Sequence, residues 1–108
     1  MGTLSLVVRQ NNVIRTKHAD TGKTIDVLVV RVVPKNGLEL EIRESSQIEN
    51  RILLIGDKLF IDPQIEIEAY RRPRDSWVSW GCLVYRAPLE YEITRGTYIQ
   101  DTFQRVRP

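Results

Sequence analysis

Three short stretches of the chain alternate strictly between apolar and polar positions. They are LELEI (Leu38 to Ile42), QIEIEAY (Gln64 to Tyr70) and LEYEI (Leu89 to Ile93). A period of two places the apolar residues on one face of a strand and the acidic ones on the other, as in a half-buried antiparallel sheet. IDVLVV (Ile25 to Val30) is more uniformly apolar and rich in branched side chains, which predicts a central strand covered on both faces. Helical periodicity is almost absent. The weak helix candidate, Ser45 to Arg51, reads better as a turn. Turn signals fall at Pro34 to Gly37, Gly56-Asp57, Asp62-Pro63, Arg71 to Ser76 and Ala87-Pro88. The Asn36-Gly37 step predicts a hairpin, because both residue types tolerate positive φ. Strands recurring every eight to twelve residues predict an all-β fold, a small sandwich or barrel of at least seven short antiparallel strands. The expected core is Val27, Val29, Leu38, Leu40, Ile42, Ile65, Ile67, Leu89, Tyr91 and Ile93.

The chain has 108 residues, which fits a single domain, residues 1–108. Its two halves, 1–51 and 52–108, share a layout: a strand, a basic turn, a second strand, then a polar turn, a further strand and an arginine. That arginine is Arg51 in the first half and Arg95 in the second, a pattern that raises the idea of two diverged repeats. No apolar run approaches the roughly 20 residues of a membrane-spanning helix. The N-terminus lacks the basic and apolar regions of a signal peptide. The single Cys82 has no disulfide partner, and a reducing cytoplasm is the expected location.

Charge changes the picture more than length does. Of 16 basic residues 12 are arginine, and residues 69–108 carry seven arginines and no lysine against four acids. Arginine presents a planar fork suited to phosphates and base edges, and it stacks on aromatic rings. The segment YRRPRDSWVSWG (Tyr70 to Gly81) packs Arg71, Arg72 and Arg74 around Pro73, beside Tyr70, Trp77 and Trp80. Basic groups interleaved with aromatic faces are what single-stranded nucleic acid requires. A solvated cationic hairpin tip is the alternative, with one tryptophan in the core and the other partly exposed.

Enzymatic chemistry is not expected. His18 is the one histidine and lies in the loop-like stretch RTKHADTGK; Cys82 reads as a buried thiol. No nucleophile–base pair is visible, and no spacing of ligands suits a metal or cofactor. ADTGKT (Ala19 to Thr24) lacks the first glycine of a phosphate loop and the helix that follows one, and reads as a hairpin turn. The row Leu89, Tyr91, Ile93, Arg95 raises a different question: an apolar, core-facing series runs into a guanidinium. Arg95 either escapes to water at the strand end or reads a ligand there.

GDKLFI (Gly56 to Ile61), QIEIEAY, VSWG (Val78 to Gly81) and APLEYEITRGTY (Ala87 to Tyr98) follow one another in an order that resembles the carbon storage regulator family of post-transcriptional RNA-binding proteins. The likeness covers about residues 52–100, with Ala87, Pro88, Glu90, Ile93, Arg95 and Tyr98 near the family's positions. Thr94 stands where that family has a histidine. The resemblance implies a β sandwich in which five strands from each of two chains interlock. In it, the first strand and an arginine of the last strand grip a GGA loop in messenger RNA. Carried over, it makes Arg95 the base-reading residue, with the strand Ile52 to Ile55 beside it. Leu4, Leu6 and Arg9 bear a looser likeness to the family's leading strand. The partner implied is RNA, bound by a homodimer or by a single-chain pseudo-dimer. The candidate RNA-binding residues are Arg95, Thr94, Arg71, Arg72, Arg74 and Arg51. The alternative is a protein interaction or assembly module, since arginine and aromatic residues also enrich protein interfaces.

Overall fold

A computed structural model describes residues 2–105. Ten strands account for most of them: β1 (Gly2–Arg9), β2 (Val13–His18), β3 (Thr24–Val33), β4 (Gly37–Glu44), β5 (Gln47–Leu54), β6 (Lys58–Asp62), β7 (Ile65–Ala69), β8 (Trp80–Ala87), β9 (Tyr91–Ile99) and β10 (Thr102–Arg105). They form two antiparallel sheets, one ordered β1-β8-β7-β6 and the other β10-β9-β2-β3-β4-β5. The fold is therefore an all-β sandwich. No helix among the described residues is long and apolar enough to cross a membrane. The halves of the chain interlock: β1 pairs with β8, and β2 pairs with β9.

The alternating segments do what their period requires. Leu38, Leu40 and Ile42 of β4 and Ile65, Ile67 and Ala69 of β7 turn inward and are buried. Glu66 and Glu68 point out, where both accept hydrogen bonds from Arg86 Nη1 at 3.0 and 2.9 Å. Strand β3 is central in the larger sheet, with Ile25, Val27 and Val29 in the core. Strict alternation would next turn Arg31 inward, but a bulge after Val29 shifts the register. The extra residue sends Arg31 outward to Glu39 at 3.2 Å and returns Val32 to the core side.

Several expectations fail for local reasons. Leu89 is 86% exposed, because the Pro88 turn, closed by Tyr91 N–H donating to Pro88 O at 3.1 Å, delays β9 until Tyr91. Tyr91 and Ile93 are only half-buried, at the margin of the core. In the β3–β4 turn the left-handed residue is Lys35 (φ 64°), not Asn36 or Gly37. Gly37 is needed instead for close approach: a Cβ there would lie 2.8 Å from Leu54 Cα. Residues 15–18, read as loop, belong to β2, and most of the Ser45 to Arg51 stretch belongs to β5. Trp77 fills the core but from a loop, at φ 51°, with its ring over Gly81. Trp80 is half-buried, as one of the pair was expected to be.

Candidate nucleic-acid interface

Arg95 occupies the inward row of β9, in register with Ile14 of β2. Beyond Ile14 the row reaches the rim of the sandwich, and the guanidinium crosses to the other sheet. There Nη1 donates to Val7 O of β1 at 2.8 Å. One donor of the fork is thus used to join the sheets. The residue borders a recess of about 300 Å³ shared with Val7, Arg9 and Asn12. Asn12 holds the corner between β1 and β2, its Oδ1 accepting from Arg9 N–H at 2.9 Å.

Arg9 is directly opposite Trp80 in the β1–β8 ladder, so the two side chains share the outer face of the four-stranded sheet. Trp80 is also where the long loop after β7 rejoins the sheet. That loop leaves at Tyr70, whose N–H donates to Cys82 O of β8 at 3.0 Å, and it returns at Trp80, opposite Arg9 at the end of β1. Its three arginines are thereby carried to the end of the sandwich where Arg9 and Arg95 lie. Tyr70, 44% exposed, and Trp80 supply aromatic surface beside them.

The loop is built around Asp75. Its buried carboxylate accepts from Arg72 N–H at 3.0 Å and from Arg72 Nε at 3.2 Å, while Arg71 Nε donates to Asp75 O at 3.2 Å. Burial by itself would push the Asp75 carboxyl up. The backbone and side-chain hydrogen bonds from Arg72 outweigh it and hold the group below its ordinary value. Arg72 is pushed up in return, chiefly by its hydrogen bond to Asp75. Among the described residues Arg74 has no hydrogen-bond or ion-pair partner. The loop is further pinned by Lys35 N–H donating to Trp77 O at 2.7 Å.

The other two candidates do not join this surface. Thr94 faces away from the core, on the side opposite Arg95, and its Oγ1 lies 3.4 Å from Glu92 Oε1. Arg51 lies on β5, separated from β9 by β2, β3 and β4, and its Nε donates to Glu49 at 2.6 Å. The strand Ile52 to Ile55, expected beside Arg95, belongs to this far edge as well. Arg95 lies against β1 instead, because β9 inserts between β10 and β2 at the rim that β1 closes.

A second polar cluster escaped the sequence reading. On the outer face of the larger sheet, Arg15 donates through Nε and Nη2 to both carboxylate oxygens of Asp26, each at 2.8 Å. Tyr98 OH also donates to Asp26, at 2.8 Å. Arg15 lies over the Phe103 ring and Arg43 over the Tyr98 ring, at 4.3 and 4.7 Å from the ring centres. These contacts fold the β9–β10 hairpin across the outer face. Asp26 is the polar position inside IDVLVV, a signal that the covered outer face carries a charge needing partners. Burial, then the hydrogen bond to Asp26, pushes the Tyr98 hydroxyl up.

His18 ends β2, its Nδ1 accepting from Asp20 and Thr21 N–H at 3.2 and 3.3 Å. The ring stands edge-on to Tyr91. Cys82 is buried in β8, and burial pushes its thiol up, away from the reactive thiolate. No group of three or more metal-ligating side chains occurs among the described residues. No protein-family model, curated protein or solved structure matches the chain.

Proposed function

We propose that the chain binds single-stranded RNA at the end of the sandwich formed by Arg9, Arg95, Trp80 and the loop carrying Arg71, Arg72 and Arg74. The observation that carries the reading is the meeting of β1 and β9. Arg95 is anchored on Val7 O, two residues before Arg9, and Arg9 is opposite Trp80. An anchored guanidinium has a fixed orientation and keeps donors for a guanine edge, while the loop arginines supply contacts to phosphate. Half-exposed Trp80 and Tyr70 offer faces on which unpaired bases stack.

This arrangement agrees with what the resemblance to carbon storage regulators implies, a leading strand and a late arginine gripping one loop. Here the leading strand is β1, the segment with Leu4, Leu6 and Arg9, in place of Ile52 to Ile55. On this reading the protein regulates messages after transcription by occupying a GGA-type loop.

The test is binding of short hairpin RNAs, with and without a GGA loop, at two salt concentrations. Tighter binding of the GGA hairpin with a steep loss of affinity at higher salt is expected. Equal, weak binding of all RNAs would remove the base-reading role of Arg95. Absence of binding would remove the proposal.

A further inference from the structure

Strand edges are commonly protected, and among the described residues three of the four sheet edges are short, bulged or interrupted by a cross-sheet bond. Strand β6 is five residues long with a bulge after Phe60, and among the described residues β10 spans four. The β1 edge is occupied at Val7 O by Arg95. Strand β5 is different. It runs eight residues, Gln47–Leu54, in unbroken register with β4, and ends the sheet with no lysine, proline or bulge. Ile48 and Ile52 are 59% and 62% exposed on it.

Its free backbone groups can be assigned. The two-residue turn Ser45-Ser46 closes on the pair Glu44–Gln47, and bonded pairs then alternate along the ladder. Gln47, Glu49, Arg51 and Leu53 direct their N–H and C=O into β4. The bond from Ile55 N–H to Asn36 O, 2.8 Å, continues that series. Ile48, Asn50 and Ile52 direct theirs outward.

We infer that this edge is a homodimer interface, in which β5 pairs antiparallel with β5 of a second copy about a two-fold axis through Asn50. The sequence QIENRIL is self-complementary in that one register. Glu49 meets the second copy's Arg51 and Arg51 meets its Glu49, while Ile48 and Ile52 meet each other on the opposite face. Asn50 is on an outward-bonding position, so the axis passes through a bonded pair, and about six backbone hydrogen bonds form. A slip by one residue would break the charge pairing and would set outward-directed groups opposite inward-directed ones. Charge match and apolar match thus select the same register, and the backbone phase permits it. The two sheets join into one. The inference does not depend on the RNA reading.

The experiment is sedimentation analysis of the whole chain and of two charge variants. Wild type should sediment at twice the chain mass of 12.6 kDa. Glu49→Arg places arginine opposite arginine, and Arg51→Glu places glutamate opposite glutamate. Each alone should raise the dissociation constant about tenfold or more. Mixed together they are complementary at both positions and should form a heterodimer, and the double variant E49R/R51E should dimerise as wild type does. A monomeric wild type at about 100 μM would overturn the inference. So would single variants that dimerise undiminished, or a mixture that stays monomeric while the double variant shows that the fold tolerates both changes.

Discussion

Arg95 and Arg51 occupy matching places in the two halves of the chain, and both lie on the inward face of the same sheet, opposite Ile14 and Leu40. Their surroundings differ because the sandwich is closed at one side and open at the other. At the closed side β1 lies within reach, and Arg95 bonds to its backbone. At the open side, among the described residues, Arg51 finds only Glu49 on its own strand, above a groove bordered by Leu59 and Phe60. The same residue at the same phase becomes a cross-sheet tie in one place and half of a surface ion pair in the other. A strand-end arginine is therefore defined by the element opposite it more than by its own row.

The largest expected contrast is in packing. Ile14→Ala, beneath Arg95 and fully buried, should cost about 2–5 kcal/mol in chemical unfolding. Ile52→Ala on the open edge should change stability by less than about 0.5 kcal/mol, measured as monomer. Equal losses would mean the sandwich is not open at β5.

Gly96→Ala should come next, at about 1–3 kcal/mol. A Cβ there would stand 2.7 Å from the Phe103 ring, displacing the hairpin that covers Arg15 and Asp26. Loss of the fluorescence or ring-current signature of Tyr98, without global unfolding, is the accompanying sign.

The arginines themselves should differ by less. Arg95→Ala removes a hydrogen bond between sheets and should cost about 1 kcal/mol. Arg51→Ala breaks an exposed pair worth about 0–1 kcal/mol, toward the lower end, in the monomer. Matching thermal melts for the two variants would erase the distinction drawn between closed and open sides.

The smallest effect concerns acid. Asp75 has a carboxyl held below its ordinary value of 3.8, so its contribution is present above that pH and is lost as pH falls through the lowered value. Protease sensitivity of the 70–79 loop should rise in that range in the wild type. In Asp75→Asn it should already be raised at neutral pH and change little on acidification.

Much of this fold is legible in the sequence because period-two alternation is a local signal. Leu38 to Ile42 and Ile65 to Ala69 declare their faces without help from the rest of the chain. What alternation cannot display is a change of phase or a partner distant in sequence. The bulge after Val29 reverses the face of Arg31, and the turn at Pro88 expels Leu89 although its spacing matches the row. Strand β2 was hidden because its outward residues, Arg15 and Lys17, give RTKH a loop-like composition. Of the candidate site, the Arg71–Arg74 loop and Arg95 were legible as arginines at strand ends. Their meeting with Arg9 and Trp80 depends on the pairing of β1 with β8, about 70 residues away. Arg51 is a candidate only through the shared layout of the two halves and Thr94 only through the family resemblance, and strand order and strand face separate them from the rest.

The most direct measurement is the affinity of a short GGA hairpin, large enough for one site, for the wild type, Arg95→Ala, Arg95→Lys and Arg51→Ala. Both Arg95 variants should lose about 1–3 kcal/mol of binding, since lysine cannot reproduce the paired hydrogen bonds of the fork. Arg51→Ala should bind as wild type does. Normal binding by Arg95→Ala, or an equal loss in Arg51→Ala, would contradict the assignment of the RNA site to the closed end of the sandwich.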